Sequence, residues 1–193
     1  MKPLSKSFFK KSTNEVAKNL LGCYLVSKSK EGTTIGKIIE TESYLYNDPA
    51  SHSFNGKTIR NEAMFGLPGR AYIYFTYGMY FCFNVTTNKK GIGEAVLIRA
   101  LEPIKGINLM KKRRNTDNIH QLCSGPAKLV IALGIKKEDY GLDLTKENSR
   151  VKIFSQIKEK KFAIIETKRI GISKGKELPH RFYIKGSKFI SRK

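Results

Sequence analysis

The chain has 193 residues, of which 37 are Lys or Arg and 16 are Asp or Glu, so its formal net charge is +21. A chain of this length is most often one domain, and its 40% apolar residues exclude a wholly disordered polypeptide. The excess of positive charge indicates a polyanionic partner, either a nucleic acid or an anionic membrane surface. A general lysine bias would give the same charge, so charge alone leaves the partner open.

The first half of the chain predicts one helix followed by strands. A cap at Thr13 or Asn14 begins the helix, which ends at Gly22. Asn47–Leu67 is a loop of about 20 residues, and connections of that length are usually functional or disordered. Stretches of β-branched and aromatic residues predict four strands, the last two joined about Gly78: Cys23–Ser27, Thr34–Tyr44, Ala71–Thr76 and Met79–Thr86.

The second half alternates strands with two helices. Ala95–Leu101 predicts a strand, and Pro103–Arg114 a helix with a basic end. Ser124–Gly134 predicts the clearest helix, because a Ser cap, an early Pro and a final Gly coincide. Short runs of β-forming residues predict three more strands: Val151–Phe154, Phe162–Ile172 and Phe182–Ile184. The pattern favours an α/β fold of the mixed, α+β-like kind, in a single domain spanning residues 1–193.

The three cysteines are few and widely spaced. Their odd number and the lack of a C-x-x-C spacing favour neither a disulfide framework nor a thiolate zinc site. The N-terminal stretch lacks the apolar core of a signal peptide, and no segment reaches the roughly 18 apolar residues of a membrane span. We therefore expect reduced thiols in a cytoplasmic protein that has no membrane partner.

The run Tyr72–Phe83 contains seven aromatic side chains in twelve residues. Aromatic rings stack on unpaired bases, and a positive surface attracts phosphates. The run and the charge together indicate a protein that handles unstacked nucleotides. Tyr and Phe are also common in strands, so a hydrophobic hairpin within the core explains the run at least as well.

Two carboxylates, Glu40 and Glu42, lie two residues apart in a predicted strand. They would share one face, about 6.5–7 Å apart, and Tyr44 would point the same way. A partly buried carboxylate on a rigid backbone suits a general base, and His52 follows after a short loop. A surface strand whose acids face lysines explains the same pattern.

Other enzyme motifs are missing from the sequence. It has no G-x-x-x-x-G-K-[ST], no G-x-S-x-G and no G-x-G-x-x-G, so a P-loop, a nucleophile elbow and a dinucleotide fingerprint are not indicated. The three histidines are dispersed, which does not favour a metal site. Lys128 is either a Schiff-base lysine or an ordinary basic residue near a helix start.

Five blocks of sequence occur in the order found in a known family: Glu40–Tyr44, His52-Ser53, Tyr72–Asn84, Leu97–Pro103 and Leu122–Leu129. On these blocks the chain resembles the alkyladenine (3-methyladenine) DNA glycosylase family, the single-domain type found in bacteria and animals. The resemblance runs from about Val16 to the C-terminus. It implies a curved, mainly antiparallel sheet with surrounding helices and a protruding, DNA-inserting β-hairpin at Tyr74–Phe81.

The resemblance also implies an activity. Such enzymes flip an alkylated or deaminated purine out of duplex DNA and hydrolyse its N-glycosidic bond, which initiates base-excision repair. Flipping costs roughly a few kcal/mol, and aromatic stacking offsets this by ~1–3 kcal/mol per contact. The implied partner is double-stranded DNA containing damaged purines, and the implied state is a monomer without a metal or an organic cofactor.

The roles of individual residues follow from the same resemblance. Glu42 is implied as the general base that activates water for attack on the sugar C1′. Arg99 is implied beside the sugar–phosphate and this water, and Leu97 lines the same region. Tyr77 is implied to wedge into the minor groove and fill the vacated stack, with Met79 packed beside it.

Four further residues are implied to form the base pocket. Tyr44, His52 and Tyr74 match the aromatic walls that sandwich the flipped base. Asn84 matches the asparagine that excludes the 2-amino group of normal guanine. A non-catalytic protein that binds DNA or RNA through the same aromatic residues is the competing class. A sugar hydrolase with two carboxylates is a third, weakened by the positive charge.

Three positions depart from the family pattern. Ala127 stands where the family commonly has Ser, and Ser43 stands where it usually has Ala. His180 stands where the family often has Trp. The departures affect packing or DNA contacts near them and leave the residues of the implied chemistry unchanged.

Overall fold

A computed structural model describes residues 2–76, 78–156 and 162–192. The described residues form eight strands: β1 Tyr24–Ser29, β2 Gly32–Tyr44, β3 Ala71–Thr76, β4 Tyr80–Thr86, β5 Ala95–Lys105, β6 Val151–Phe154, β7 Ile164–Thr167 and β8 Arg181–Ile184. They also form five α-helices: α1 Lys6–Phe9, α2 Thr13–Leu20, α3 Ile107–Arg114, α4 Ile119–Leu122 and α5 Pro126–Leu133. Two short 3-10 helices lie at Glu62–Phe65 and Lys137–Asp139.

The strands form one curled antiparallel sheet in the order β3-β4-β5-β2-β1-β6. Strand β2 is its centre, because β5 pairs along one edge while β1 and β8 share the other. Strand β7 pairs with β8. The β2–β5 ladder is irregular between Ile38 and Thr41, where bulges shift the register on either side of Glu40. Bulges bend a strand and re-aim its side chains, and this one lies where the two carboxylates are.

The core lies between the sheet and the helices, with α2 and α5 as its main helical contributors. In α2 the residues Val16, Ala17 and Leu20 are buried on one side, the spacing of an amphipathic helix. The Thr41 hydroxyl donates to the carbonyl of Ala17 at 2.9 Å and so joins β2 to this helix. Alternate residues of a strand face opposite ways, so Glu40 and Glu42 lie on the side away from α2.

The mixed α/β class with a curved, mainly antiparallel sheet is confirmed. The predicted helix Pro103–Arg114 is wrong at its start, because β5 continues to Lys105 and α3 begins at Ile107. Pairing of Lys105 with Ile35 of β2 extends the strand beyond its local preference. Gly106 then turns the chain at φ 75°, a left-handed conformation that suits glycine.

Two other boundaries differ from prediction, and the short helices α1 and α4 were not predicted. Helix α5 begins at Pro126 with Gly125 at its N-cap, so the predicted Ser124 cap is wrong. The predicted strand Phe162–Ile172 is limited to Ile164–Thr167, the part that pairs with β8. In the second case the partner strand, rather than the local sequence, sets the boundary.

The three cysteines are free and buried, and burial raises the pKa of Cys23 and of Cys123 to about 12. Thiols with such pKa values are protonated at neutral pH, so these cysteines pack as small apolar side chains. None of the helices in the described part of the chain is both long and apolar enough to cross a membrane.

Candidate active site

A cavity of about 290 Å³ opens where β2, β3, β4 and β5 meet the segment that follows β7. Six residues with an implied role line it: Tyr44, His52, Tyr74, Asn84, Leu97 and Arg99. Its wall also includes side chains to which no role was assigned from sequence, among them Arg60 and Tyr72. The structure thus brings together residues from β2 to β5, from the long loop and from the chain after β7.

Glu42 lies directly behind this wall with no exposed surface. Its Oε2 atom accepts hydrogen bonds from the Tyr44 hydroxyl at 2.8 Å and from Arg99 Nη1 at 3.2 Å. Its Oε1 atom accepts one from the backbone N–H of Ile170 at 3.1 Å. A carboxylate oxygen can accept about two hydrogen bonds, so, among the described residues, Oε1 keeps one acceptor position for a further donor such as water.

The environment of Glu42 sets its protonation. Burial raises its pKa above the ordinary 4.5, and the positive charge of Arg99 opposes this rise most strongly. Hydrogen bonds from Ile170 and Tyr44 also oppose it, whereas the negative charge of Glu40 adds to it. A carboxylate with a raised pKa accepts a proton more readily than an exposed one, as a general base requires.

Glu40 is equally buried, but its hydrogen-bond donors, Arg181 and Ser191, do not line the cavity. Arg181 Nε and the Ser191 hydroxyl donate to Oε1 at 2.7 and 2.9 Å, and the Ser191 backbone N–H donates to Oε2 at 2.6 Å. Arg99 Nε lies 3.3 Å from the same Oε1 atom. Both carboxylates therefore share one face and contact Arg99, which rules out the alternative of surface acids facing lysines.

The aromatic wall is built on β3 and the long loop. The rings of His52 and Tyr74 meet edge to face with centroids 4.5 Å apart, and His52 Nδ1 lies 2.7 Å from the Tyr72 hydroxyl. The loop is held by the buried side chain of Asn61, which donates to the carbonyls of His52 and Gly56 at 2.8 and 2.9 Å. These bonds tie the loop to the carbonyl of His52 itself and so help to position its ring.

Tyr44 is supported by a buried ion pair. Arg169 and Asp48 form this pair with side chains that are 0% and 2% exposed. The Arg169 guanidinium lies 4.6 Å from the centroid of the Tyr44 ring and donates to the carbonyl of Ser43 at 3.0 Å. The pair joins the long loop to the chain after β7 and fixes the Tyr44 ring between them.

Asn84 and Leu97 face each other in the β4–β5 ladder. Asn84 is 3% exposed, and its side-chain amide donates to the carbonyl of Tyr72 at 3.0 Å. This bond fixes the amide at the cavity wall, where it limits the shape of a bound ring. Met79, by contrast, is 64% exposed at the hairpin between β3 and β4 and does not line the cavity. Tyr77 lies outside the described residues.

The described residues contain no group of three or more His, Cys, Asp or Glu side chains arranged to hold a metal ion. The cavity wall instead offers aromatic rings and guanidinium groups, and one hydrogen-bonded carboxylate, Glu42, lies directly behind it. This set suits acid–base chemistry on a flat ring.

Comparisons with known proteins show the family of this chain. Residues 7–188 match the model of a family described as methylpurine-DNA glycosylase. The chain belongs to the methylpurine-DNA glycosylase family. A protein of Francisella tularensis is 51% identical over 182 residues, 94% of each chain. A protein of Carboxydothermus hydrogenoformans is 51% identical, and the match covers 98% of this chain and 99% of the relative. A protein of Bradyrhizobium diazoefficiens is 44% identical, and the match covers 99% of this chain and 92% of the relative. All three are named "Putative 3-methyladenine DNA glycosylase".

The departures from the family pattern of methylpurine-DNA glycosylases lie beside the cavity rather than in it. The Ser43 hydroxyl donates to Asn14 Oδ1 at 2.5 Å, so it has gained a partner in α2. The His180 backbone carbonyl accepts from the Ser43 N–H at 2.9 Å. Ala127 lies next to Pro126, which lines the cavity at the start of α5.

Sequence reasoning assigned no role to several residues of the site in this member of the methylpurine-DNA glycosylase family. Tyr72 could have been found, because it lies in the aromatic run and is paired with Asn84 in the β3–β4 ladder. Ile170, Arg169 and Asp48 lie in irregular segments, where no periodicity predicts a side-chain direction. Ile170 binds Glu42, and Arg169 contacts Tyr44 and Asp48, each across more than a hundred positions.

Proposed function

We propose that this protein is a DNA glycosylase that removes alkylated or deaminated purines from duplex DNA by hydrolysing the N-glycosidic bond. The observation that carries the proposal is Glu42, a buried carboxylate with one open acceptor position behind an aromatic cavity. Membership of the methylpurine-DNA glycosylase family and the names of the relatives support the same activity.

The proposed reaction uses the cavity for the base and Glu42 for the water. The flipped purine stacks against Tyr44, His52 and Tyr74. A water molecule bound to Glu42 Oε1 attacks the sugar C1′ and gives its proton to the carboxylate. The bond between C1′ and N9 breaks, and its electron pair leaves with the base. A purine alkylated at N3 or N7 is cationic and departs as a neutral molecule, so it is a good leaving group.

Arg99 is proposed to serve two purposes in this reaction. Its contact with Glu42 keeps the carboxylate ionised, since a nearby positive charge opposes the effect of burial on the pKa. It also lies at the cavity wall, where it can approach the sugar–phosphate of the flipped nucleotide. Leu97, also in the cavity wall, packs on the same nucleotide.

Duplex DNA is the proposed partner. The net charge of +21 favours contacts with phosphates, and such contacts make affinity fall with salt by about 0.9 log units per log unit of salt for each neutralised phosphate. The hairpin between β3 and β4 exposes Phe75, Met79 and Tyr80. Apolar side chains at a protruding tip suit insertion into the minor groove, with Tyr77 filling the vacated stack.

A non-catalytic nucleic-acid-binding protein is the second candidate, and the aromatic cavity beside a basic surface favours it as well. Glu42 distinguishes the two, because a carboxylate facing a phosphate-rich ligand weakens binding, whereas hydrolysis requires a base. Single-turnover assays on duplexes that each carry one defined lesion, performed in EDTA, test the choice. Release of a free base with an abasic strand supports the glycosylase. Tight binding without release of any base contradicts it, and loss of activity in EDTA contradicts a metal-free reaction.

A further inference from the structure

The charges at the cavity wall are unbalanced. The described residues that line the cavity include two arginines, Arg60 and Arg99, and no Asp or Glu. Arg99 is compensated, because it contacts the buried carboxylates of Glu40 and Glu42. Within the described part of the chain, Arg60 has no carboxylate within 4 Å, so its charge faces the cavity without a counterion.

Arg60 is held at this wall by neighbours on both sides. Its Nη2 atom donates to the carbonyl of Phe75 at 3.0 Å, and its guanidinium carbon lies 5.8 Å from the centroid of the Tyr74 ring. The next residue, Asn61, is the buried anchor of the long loop. The guanidinium thus lies beside one of the rings against which a flipped base is proposed to stack.

The charge of Arg60 already acts on a neighbour in this wall. Reduced hydration is the main reason that the pKa of His52 lies below its ordinary 6.5, and the positive charge of Arg60 lowers this pKa further. His52 is therefore neutral at physiological pH and adds no positive charge of its own. Arg60 is therefore the cation without a counterion in the described part of the cavity wall, next to the place proposed for the flipped base.

Resting on the proposed function, we infer that Arg60 determines which damaged purines the cavity favours. It favours purines that are neutral in DNA, such as hypoxanthine, over purines that alkylation has made cationic, such as 7-methylguanine. Arg60 contacts the base rather than the sugar, so it is a specificity-determining residue that acts beside the Glu42 base.

The electron balance of bond cleavage gives the reason. When a neutral purine leaves, the electron pair of the C1′–N9 bond stays on N9, and the base carries negative charge until it takes a proton from solvent. A fixed positive charge stabilises this developing anion. A cationic purine becomes neutral as it leaves, and the same charge repels it while it is bound. Measured from free enzyme and duplex, as kcat/KM, the two effects change the ratio of the two rates in the same direction.

The test compares single-turnover release of hypoxanthine and of 7-methylguanine from otherwise identical duplexes at subsaturating enzyme, where the rate reports kcat/KM. Arg60→Gln removes the charge and keeps hydrogen-bond donors, while Arg60→Lys keeps the charge. For a unit charge several ångströms from the base, we expect the hypoxanthine to 7-methylguanine rate ratio to fall about 10-fold in Arg60→Gln. Arg60→Lys should restore most of the ratio. Arg60 is exposed, so its replacement should leave the melting temperature unchanged.

Lys57→Gln is the matched control. Lys57 also carries a positive charge in the long loop, but it pairs with Glu62 at 3.0 Å, is 55% exposed and does not line the cavity. Its replacement should weaken duplex binding slightly and leave the rate ratio unchanged. In Arg60→Gln the pKa of His52, followed by NMR, should rise, which a purely structural role of Arg60 would not cause.

An unchanged rate ratio in Arg60→Gln, with wild-type enzyme releasing both bases, overturns this inference alone. An equal shift in Lys57→Gln also overturns it, because the effect would then come from net charge. A wild-type protein that releases neither base contradicts the proposed function and this inference together.

Discussion

The Tyr44 hydroxyl donates a 2.8 Å hydrogen bond to Oε2 of Glu42, two residues earlier on the same strand. The alternation of side chains along β2 places the two on one face, so a single strand provides both the proposed base and one wall of the cavity. A ring that stacks on Tyr44 consequently lies close to Glu42. The pleat of β2 thus sets the distance between a purine stacked on Tyr44 and the proposed general base, Glu42.

Replacing Glu42 with Gln should abolish base release while duplex binding persists, because an amide cannot accept the proton of the attacking water. We expect the single-turnover rate to fall about 10²- to 10⁴-fold. Glu102→Gln is the control, since Glu102 lies in the same sheet, is 36% exposed and pairs with Lys37 at 3.6 Å. A Glu42→Gln enzyme that keeps more than about a tenth of the wild-type rate would contradict the role.

The pH dependence of base release should report on Glu42 and Arg99. The carboxylate acts only when ionised, so the rate should rise with pH through a pKa above the ordinary 4.5. Arg99→Gln removes the charge that opposes the rise in pKa, so the acid limb of the rate profile should move to higher pH. Arg99→Lys keeps the charge and should keep the limb near its wild-type position. Acid limbs at the same pH in all three proteins would show that another group controls the profile.

Glu40→Gln should primarily lower the free energy of unfolding. Glu40 is fully buried and accepts from Arg181 and from Ser191, so its replacement leaves buried donors without an anionic partner. Breaking such a buried pair costs about 3–5 kcal/mol, which urea denaturation would measure. Glu166→Gln is the control. Its exposed pair with Lys18 at 2.7 Å should contribute less than about 1 kcal/mol. Equal losses in the two variants would contradict the structural role of Glu40.

Shortening Asn84 to Ser should relax the exclusion of normal guanine. The Asn84 amide is fixed by its bond to the Tyr72 carbonyl, and a smaller side chain leaves room for a 2-amino group. Release of guanine opposite thymine should rise relative to release of alkylated adenine, as measured on paired duplexes. Thr76→Ser, which shortens another side chain of the cavity wall, should leave this ratio unchanged. If the Asn84→Ser ratio also stays unchanged, selectivity comes from leaving-group reactivity instead.

Tyr77→Ala should weaken lesion binding by shifting the flipping equilibrium. Loss of a stacking contact of ~1–3 kcal/mol corresponds to about 5- to 150-fold. Met79→Ala should act in the same direction without lowering the melting temperature, because Met79 is 64% exposed. Ile104→Ala is the control, since Ile104 is 45% exposed near the far end of β5. A large drop in the melting temperature of Tyr77→Ala, with loss of all DNA binding, would instead make Tyr77 a core residue.

The sequence predicted those parts of the site that lie within regular strands. Glu42 and Tyr44 could be placed on one face because strand periodicity fixes the direction of each side chain. Arg60 and the Asp48–Arg169 pair could not, because they lie in irregular segments whose side-chain directions depend on tertiary contacts. Tertiary pairing also explains the missed boundaries of two strands: β5 continues to Lys105 because Lys105 pairs with Ile35 of β2, and β7 is limited to the residues that pair with β8.

The position of Ser191 along the chain affects when the site can form during synthesis. Ser191 binds Glu40 across 151 residues, and Arg99 Nε donates to its hydroxyl at 3.2 Å. At about 5–20 residues per second, roughly 8 to 30 s separate the translation of these two positions. A nascent chain on the ribosome therefore has its aromatic hairpin long before the carboxylates are fully partnered. Translation order thus delays the completed site until Ser191 has been made.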